Sequence, residues 1–262
     1  MQAIAQEQNL SETAFVLRSE RADFRARYFT PSEEIPLAGH PTIATMIALV
    51  DQERVRLDAE PKILTLELTA GVISVEVCQE HDRTTVTMHQ LPPRFGATYE
   101  ADELMPAFGL AADDALASVP IQTVSTGTPQ LMVPVRNLAA LRRAQLQFNQ
   151  YAALRAGGDF FSPHLFCMTG ATPAGATFAR HFGLPPDTLE DPFTGSATGG
   201  MATYCWHYGL LDTPDFVAEQ GHWMGRPGQA MVSVAGTRDN ITDVAVTGQG
   251  VVLIRGTLSL AD

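Results

Sequence analysis

Residues 62–77 alternate apolar and polar positions, with Ile63, Leu64, Leu66 and Leu68 followed by Val72, Ile73, Val75 and Val77. Ala70-Gly71 separates the two runs, so period and turn chemistry together predict a β-hairpin. Residues 12–16 and 84–89 read as further strands, the second stopped by Pro92-Pro93. Residues 101–109 predict a helix and 113–117 a helical turn. Within 121–135, Ser125-Thr-Gly-Thr-Pro129 is a turn that leads into a strand at 131–135. Residues 138–156 read as one continuous helix, because Leu141, Ala144, Leu146, Phe148, Tyr151 and Leu154 fall close to a 3.6 period. Strands over 160–169, 174–182, 231–235 and 241–260 complete the pattern, with Gly248-Gln-Gly250 as a bulge or turn in the last.

Two segments depart from this pattern in the same way. Residues 41–50 carry Ile43, Ala44, Met46, Ile47, Ala48 and Leu49, and residues 197–209 carry Met201, Ala202, Tyr204, Cys205 and Trp206. A helix apolar on nearly every face must be enclosed. The predicted class is therefore α+β, with two pseudo-symmetric lobes, each a mostly antiparallel sheet curled around a central helix. The lobe boundary is placed at 115/116, in the Ala- and Asp-rich stretch 109–119, giving lobes of 1–115 and 116–262 with the last strand returning to the first lobe.

The two central helices also share their approaches. Leu37-Ala-Gly-His-Pro-Thr-Ile-Ala-Thr45 and Glu190-Asp-Pro-Phe-Thr-Gly-Ser-Ala-Thr-Gly-Gly200 are both Gly-centred turns running into apolar helix. Upstream, Ala26-Arg27-Tyr28-Phe29 corresponds to Ala179-Arg180-His181-Phe182. This order points to a duplicated half. Two helix N-termini facing one cleft would aim free N–H groups and positive dipole ends at one small anion.

Composition narrows the partners. The 262 residues are 45% hydrophobic and 18% charged, with a net charge of −12. That balance argues against nucleic acid and anionic membranes, while leaving a small carboxylate open because local dipoles override the mean field. No apolar run reaches spanning length, and the first residues lack the basic-then-apolar order of a signal peptide. Cys78, Cys167 and Cys205 show no paired spacing, which fits a reducing cytoplasm.

Three residues stand out as candidate chemistry. His40 precedes Pro41 at a helix start, where an isolated histidine is ordinarily a cap or loop residue; the helix dipole there is expected to depress its pKa and leave it neutral. Asp191 lies among Thr194, Ser196 and Thr198, more small polar groups than one cap needs. Glu12 heads into Thr13-Ala-Phe-Val16, and burial there is expected to raise its pKa. A surface role is its ordinary alternative. Phosphate-loop, dinucleotide and nucleophile-elbow motifs are lacking. Histidines 81, 89, 164, 181, 207 and 222 lack paired metal spacing, and neither helix start holds the cysteine of a two-thiol racemase.

Asn9-Leu-Ser-Glu-Thr-Ala-Phe-Val16, Ala38-Gly-His-Pro-Thr42, Ser125-Thr-Gly-Thr-Pro129, Glu190-Asp-Pro-Phe-Thr-Gly-Ser-Ala197 and Glu219-Gln-Gly-His-Trp-Met-Gly-Arg-Pro227 together resemble the PhzF-like phenazine-biosynthesis family, in the family's order and over essentially the whole chain. The resemblance implies the diaminopimelate epimerase-like fold, a homodimer, and no metal or organic cofactor. It implies an isomerase that moves a proton and a double bond on a small carboxylate-bearing metabolite. A racemase or epimerase of a small amino or hydroxy acid, and a non-catalytic binding homologue, are the alternatives. By the family pattern Glu12, His40 and Asp191 are catalytic, and Gly39, Gly195, Ser196 and Ala197 bind substrate. Relatives carry a strand hairpin of some thirty residues ahead of the Asn-Leu-Ser-Glu segment, whereas Met1 here sits where that hairpin ends. The expectation is a gap in the first lobe, over Ile43, Met46 and Ile47 and along 13–16, shielded by a partner or by rearrangement. Glu12 is expected to be more exposed than a working base should be.

Overall fold

The computed structural model describes residues 1–80 and 83–259; His81 and Leu260, both touched by the sequence reading, lie outside the described residues. The first lobe holds α1 (Gln2–Gln8), β1 (Thr13–Leu17), β2 (Phe24–Phe29), β3 (Glu34–Ile35), α2 (Gly39–Asp51), β4 (Lys62–Leu68), β5 (Gly71–Glu80) and β6 (Arg83–His89). The second holds β7 (Arg94–Tyr99), α3 (Ala101–Leu104), β8 (Ile121–Ser125), β9 (Pro129–Pro134), α4 (Leu138–Arg143), α5 (Phe148–Gly157), β10 (Ser162–Cys167), β11 (Thr177–Phe182), β12 (Glu190–Asp191), α6 (Gly195–His207), β13 (Asp215–Gln220) and β14 (Gly228–Thr237). β7 and α3, placed by the 115/116 boundary in the first lobe, belong to the second because β7 pairs with β8. The last strand, β15 (Asn240–Gln249), pairs with β14 on one edge and β6 on the other. One sheet therefore runs through both lobes in the order β1-β2-β4-β5-β6-β15-β14-β13-β11-β10-β9-β8-β7.

The alternation read at 62–77 is realised as β4 paired antiparallel with β5. Its inward set, Leu64, Leu66, Leu68, Ile73, Val75 and Val77, is buried, while Ile63 faces out at 70% exposure. That inward face packs on Met46 and Leu49 of α2. In the second lobe Met201, Tyr204 and Cys205 of α6 pack on Val124, Met132, Phe166 and Val232. Enclosure explains the all-round apolar character of both helices: burying each large side chain contributes about 1.5–3 kcal/mol, on whichever face it lies.

The duplication is visible in hydrogen-bond detail. Phe29 registers with Glu34 and Phe182 with Glu190. Arg27 makes a two-pronged ion pair with Glu34, at 2.9 and 2.5 Å, and Arg180 makes the same pair with Glu190, at 2.8 Å for both prongs. Each guanidinium also stacks near the phenylalanine two residues on, Phe29 and Phe182. The helices that follow are 13 residues each. The difference in spacing between the halves lies in the connecting turns, residues 30–33 and 183–189.

Three expectations change. The helix read over 138–156 is two helices, α4 and α5, because the backbone turns extended at Ala144 and the N–H groups of Gln145 and Gln147 donate to Phe108 and Ala107. Residues 250–259 are not a strand; Val251, Leu253 and Ile254 are exposed, with no partner strand among the described residues. β2, β7 and β13 were not anticipated; Phe24-Arg-Ala-Arg-Tyr28 does alternate, whereas β7 and β13 do not.

The first lobe is open on one side. β1 ends the sheet, whereas its counterpart β10 is followed by β9, β8 and β7. Ile43 and Ile47 are nonetheless only 8% exposed. The backbone at Gly248 and Gly250 lies against them, so close that an added Cβ would stand 2.9 and 2.8 Å from their methyl groups. The end of β15 and Gly250 therefore cover this side of α2, beside a groove bordered by Ala44, Arg226, Met231 and Val252.

The two helix starts approach each other backbone to backbone. A Cβ on Gly39 would fall 2.4 Å from the Gly195 and Ser196 backbone, and one on Gly195 3.0 Å from Gly39. Backbone cannot yield as a side-chain tip can. Gly39→Ala is therefore expected to destabilise the protein by about 1–3 kcal/mol. Gly157→Ala, a helical site with open space around it, is expected to be neutral or slightly stabilising. Urea midpoints of the two variants check the contrast.

Candidate active site

The crossed helix starts form the floor of a cleft between the lobes, and the strand ends around it supply its charge. Glu12 immediately precedes β1, Asp191 ends β12, and His40 and Ser196 occupy equivalent second positions of α2 and α6. His40 Nε2 lies 2.8 Å from Glu12 Oε2, and His40 Nδ1 lies 3.9 Å from Asp191 Oδ2. The three residues assigned by resemblance to catalysis are thus brought together from positions far apart in sequence. Gly39, Gly195, Ser196 and Ala197 all lie in the first turns of the two helices, where N–H groups have no intrahelical acceptor. Ser196 lines the cleft with Glu12 and Asp191.

Glu12 is not the exposed carboxylate anticipated. Its side chain is 13% accessible and faces His40. β1 needs no outer neighbour to bury it, because the second lobe closes over that end of the strand. The electrostatic expectations also reverse. Burial alone would depress the His40 pKa, but the attraction of Glu12 and then Asp191, with hydrogen bonds to Glu12 and the Phe193 backbone, outweighs it and raises the value to about 9. Burial would raise the Glu12 pKa, but the His40 charge and hydrogen bond, with help from Ser11, hold it below the ordinary carboxylate value. Two carboxylates close to one imidazole outweigh a single helix dipole. The resting site is an imidazolium between carboxylates. Ligand-type atoms of Glu12, His40 and Asp191 lie within 4.8 Å of one another, a spacing that suits a cation, but the ring would first have to lose its proton.

The remaining motifs hold this arrangement rather than joining it. Gln90 Nε2 donates to Gly195 O at 2.9 Å, and its Oε1 accepts from Thr126 at 2.5 Å. Thr128 Oγ1 donates to Leu37 O at 2.7 Å. The Ser125–Pro129 turn of the second lobe thereby clasps the start of the first lobe's helix. Gln220 Nε2 donates to Asp191 O at 2.6 Å, and its Oε1 accepts from Thr194 N at 3.2 Å. Thr194 Oγ1 donates to Asp191 Oδ2 at 2.5 Å, while Asp191 Oδ1 is buried with no hydrogen-bond partner among the described residues. Gly221, at φ +81°, passes so near the Pro192 and Arg226 carbonyls that no side chain fits. At the rim, Ser32 donates from N and Oγ to Asp187, at 3.1 and 2.7 Å, joining the two lobes' connecting turns. Sequence reading missed Gln90 and Asp187, which lie in none of the motifs, and gave no role to Gln220, although it sits within the Glu219–Pro227 motif.

The pH dependence follows from the signs. The His40 value in the fold exceeds its ordinary 6.5, so its contribution to stability is complete below about pH 6.5 and is lost as pH rises through about 9. The Glu12 value is depressed below 4.5, so its contribution is present above about pH 4.5 and is lost on acidification. Replacing Glu12 by Gln removes the larger attraction, and the His40 pKa is expected to fall from about 9 toward 6.5. Imidazole proton shifts followed through a pH titration of wild type and Glu12→Gln check this.

The sequence matches the PhzC-PhzF family, described as phenazine biosynthesis-like protein, over residues 1–256. It is 32% identical over 252 residues to the uncharacterized isomerase YfhB of Bacillus subtilis, covering 94% of this chain and 85% of the relative. It is also 32% identical over 266 residues to trans-2,3-dihydro-3-hydroxyanthranilate isomerase of Pseudomonas chlororaphis, covering 99% and 88%. Among solved structures, a protein from Pseudomonas aeruginosa described as a predicted epimerase superposes with a TM-score of 0.83 at 31% identity, over 99% of this chain and 88% of the other. No helix among the described residues is long and apolar enough to cross a membrane. The chain therefore belongs to the PhzC-PhzF family, with its diaminopimelate epimerase-like fold, and like these relatives it is an isomerase.

Proposed function

We propose that the protein relocates a proton, and with it a double bond, on a small unsaturated carboxylate, using Glu12 as the acid/base. The contact that carries this reading is the 2.8 Å ion pair between Glu12 and His40, set beside two helix N-termini. The substrate carboxylate binds the free N–H groups at the starts of α2 and α6. Glu12, charged at neutral pH, takes a proton from an allylic carbon. The C–H bond electrons shift through the conjugated system toward the bound carboxylate, where the helix dipoles and the His40 imidazolium offset the charge. Glu12 then returns the proton to a different carbon, and the double bond settles in its new position. His40 keeps Glu12 ionised at rest and holds its carboxylate in one orientation. Asp191, fixed by Thr194 and Gln220, in turn balances the imidazolium.

Direct contact between Glu12 and His40 favours this reading over a two-base racemase, which needs separate acid/base groups on opposite faces of one carbon. The positions duplication offers for a second base are occupied by neutral hydroxyls. Ser196 matches His40, and strand register matches Ser162 to Glu12.

The dihydro-hydroxyanthranilate acted on by the Pseudomonas chlororaphis relative is the substrate to try first. In deuterated solvent, wild type is expected to place label at a new allylic position. Glu12→Gln is expected to lower turnover by about 10²- to 10⁴-fold. Turnover that survives in Glu12→Gln would exclude Glu12 as the base. Ser196→Pro removes one N–H from the anion cradle, and calorimetry with benzoate is expected to show weaker binding in the folded variant.

A further inference from the structure

Across the cleft from Glu12 lies a buried polar group that the acid/base chemistry does not use. Ser162 and His181, 4% and 6% exposed, both line the cleft. Gln130, 2% exposed, lines the cleft with them, and His164, with no exposure at all, lies behind. Ser162 Oγ donates to Gln130 Oε1 at 2.7 Å and lies 2.8 Å from His181 Nε2. His181 Nδ1 lies 3.3 Å from His164 Nδ1. His164 Nε2 is buried with no hydrogen-bond partner among the described residues.

Counting donors fixes the direction of this chain. With the Ser162 proton committed to Gln130, the serine oxygen accepts from His181 Nε2–H. His181 Nδ1 is then bare and accepts from His164 Nδ1–H, which leaves His164 Nε2 as an unpaired acceptor. The reverse order would leave a buried N–H without an acceptor, and orphaned donors are rarer in folded proteins than under-satisfied acceptors. A proton on both ring nitrogens of each histidine would set N–H against N–H. Burial holds both rings neutral, His181 near 4 despite the raising influence of Asp191, and His164 well below its ordinary value.

In this order Ser162 Oγ has given its one proton away and keeps a lone pair toward the cleft. We propose that Ser162, oriented by His181 and His164, is a specificity-determining hydrogen-bond acceptor that takes a hydroxyl or amino donor on the substrate and so sets which carbon faces Glu12. The proposal rests on the reading of the cleft as a carboxylate-binding site. It gives the duplicated position a distinct role, since the first lobe carries a charged base where the second carries a neutral acceptor. His181 acts through Ser162 and is a positioning residue.

Calorimetry with benzoate and with its ortho-, meta- and para-hydroxylated forms tests the proposal on the whole chain. Wild type is expected to bind at least one hydroxybenzoate about tenfold more tightly than benzoate, the order of one net hydrogen bond. Ser162→Ala is expected to erase that preference while leaving benzoate affinity unchanged, and Ser162→Thr, which keeps the hydroxyl, to restore it. Nitrogen-15 spectra of the imidazoles supply a readout that needs no ligand. His181 is expected to carry its proton on Nε2 and His164 on Nδ1, both neutral at pH about 6. A wild type with no preference, a Ser162→Ala variant that keeps the preference, or the opposite ring tautomers would overturn the proposal. Failure of the isomerase reading shows elsewhere, as turnover that persists in Glu12→Gln with the binding preference intact.

Discussion

Backbone contact between Gly39 and Gly195 is the constraint on which the molecule turns. Two enclosed helices can aim their N-termini into one cleft only if their first turns touch without side chains between them. The contact sets the angle at which the lobes meet. It brings Glu12, His40 and Asp191 within reach of each other and sets the free N–H groups of both helix starts side by side. The surrounding hydrogen bonds serve that contact. Gln90 holds the Gly195 carbonyl, Thr128 holds the Leu37 carbonyl, and β15 ties the sheets so that the lobes cannot drift apart.

Charge at the site follows from geometry. A helix N-terminus repels a cation, so His40 by itself would stay neutral. Folding brings two carboxylates to that ring, and each charge becomes tolerable only through the other. Removing one partner leaves the remaining charges unbalanced in a partly buried site, so these residues are coupled rather than additive. Coupling also keeps Glu12 ionised in the resting fold.

The duplication preserved architecture and let chemistry diverge. Arg27–Glu34 and Arg180–Glu190 are the same device, used twice to brace a strand against the turn that leads into a helix. At equivalent positions around the site the halves differ, with Glu12, Tyr28 and His40 in one and Ser162, His181 and Ser196 in the other. Tyr28 donates or accepts within its own lobe, to Thr42 at 2.9 Å, whereas His181 turns toward the cleft. A symmetric scaffold thus holds an asymmetric site, as a reaction that treats two carbons of one substrate differently requires.

Sequence alone determined what depends on local pattern. Alternation at 62–77 specified a hairpin and its inward face, all-round apolar runs specified two enclosed helices, and repeated turns specified a duplicated α+β fold with His40 at a helix start. Each of these is written in spacing. The break at 144–147 was not, because it exists to satisfy the Ala107 and Phe108 carbonyls, which are distant in sequence. Nor was the path over 250–259, where the residues are strand-like but no strand among the described residues lies beside them. Protonation of the site was the largest reversal. Glu12 and His40 are 28 positions apart and Asp191 belongs to the other lobe, so their mutual distances, and with them the sign of each pKa shift, are properties of the closed fold. Local sequence decides which groups are present, but electrostatic energy depends on separation and burial, and those are set only when the two helix starts meet.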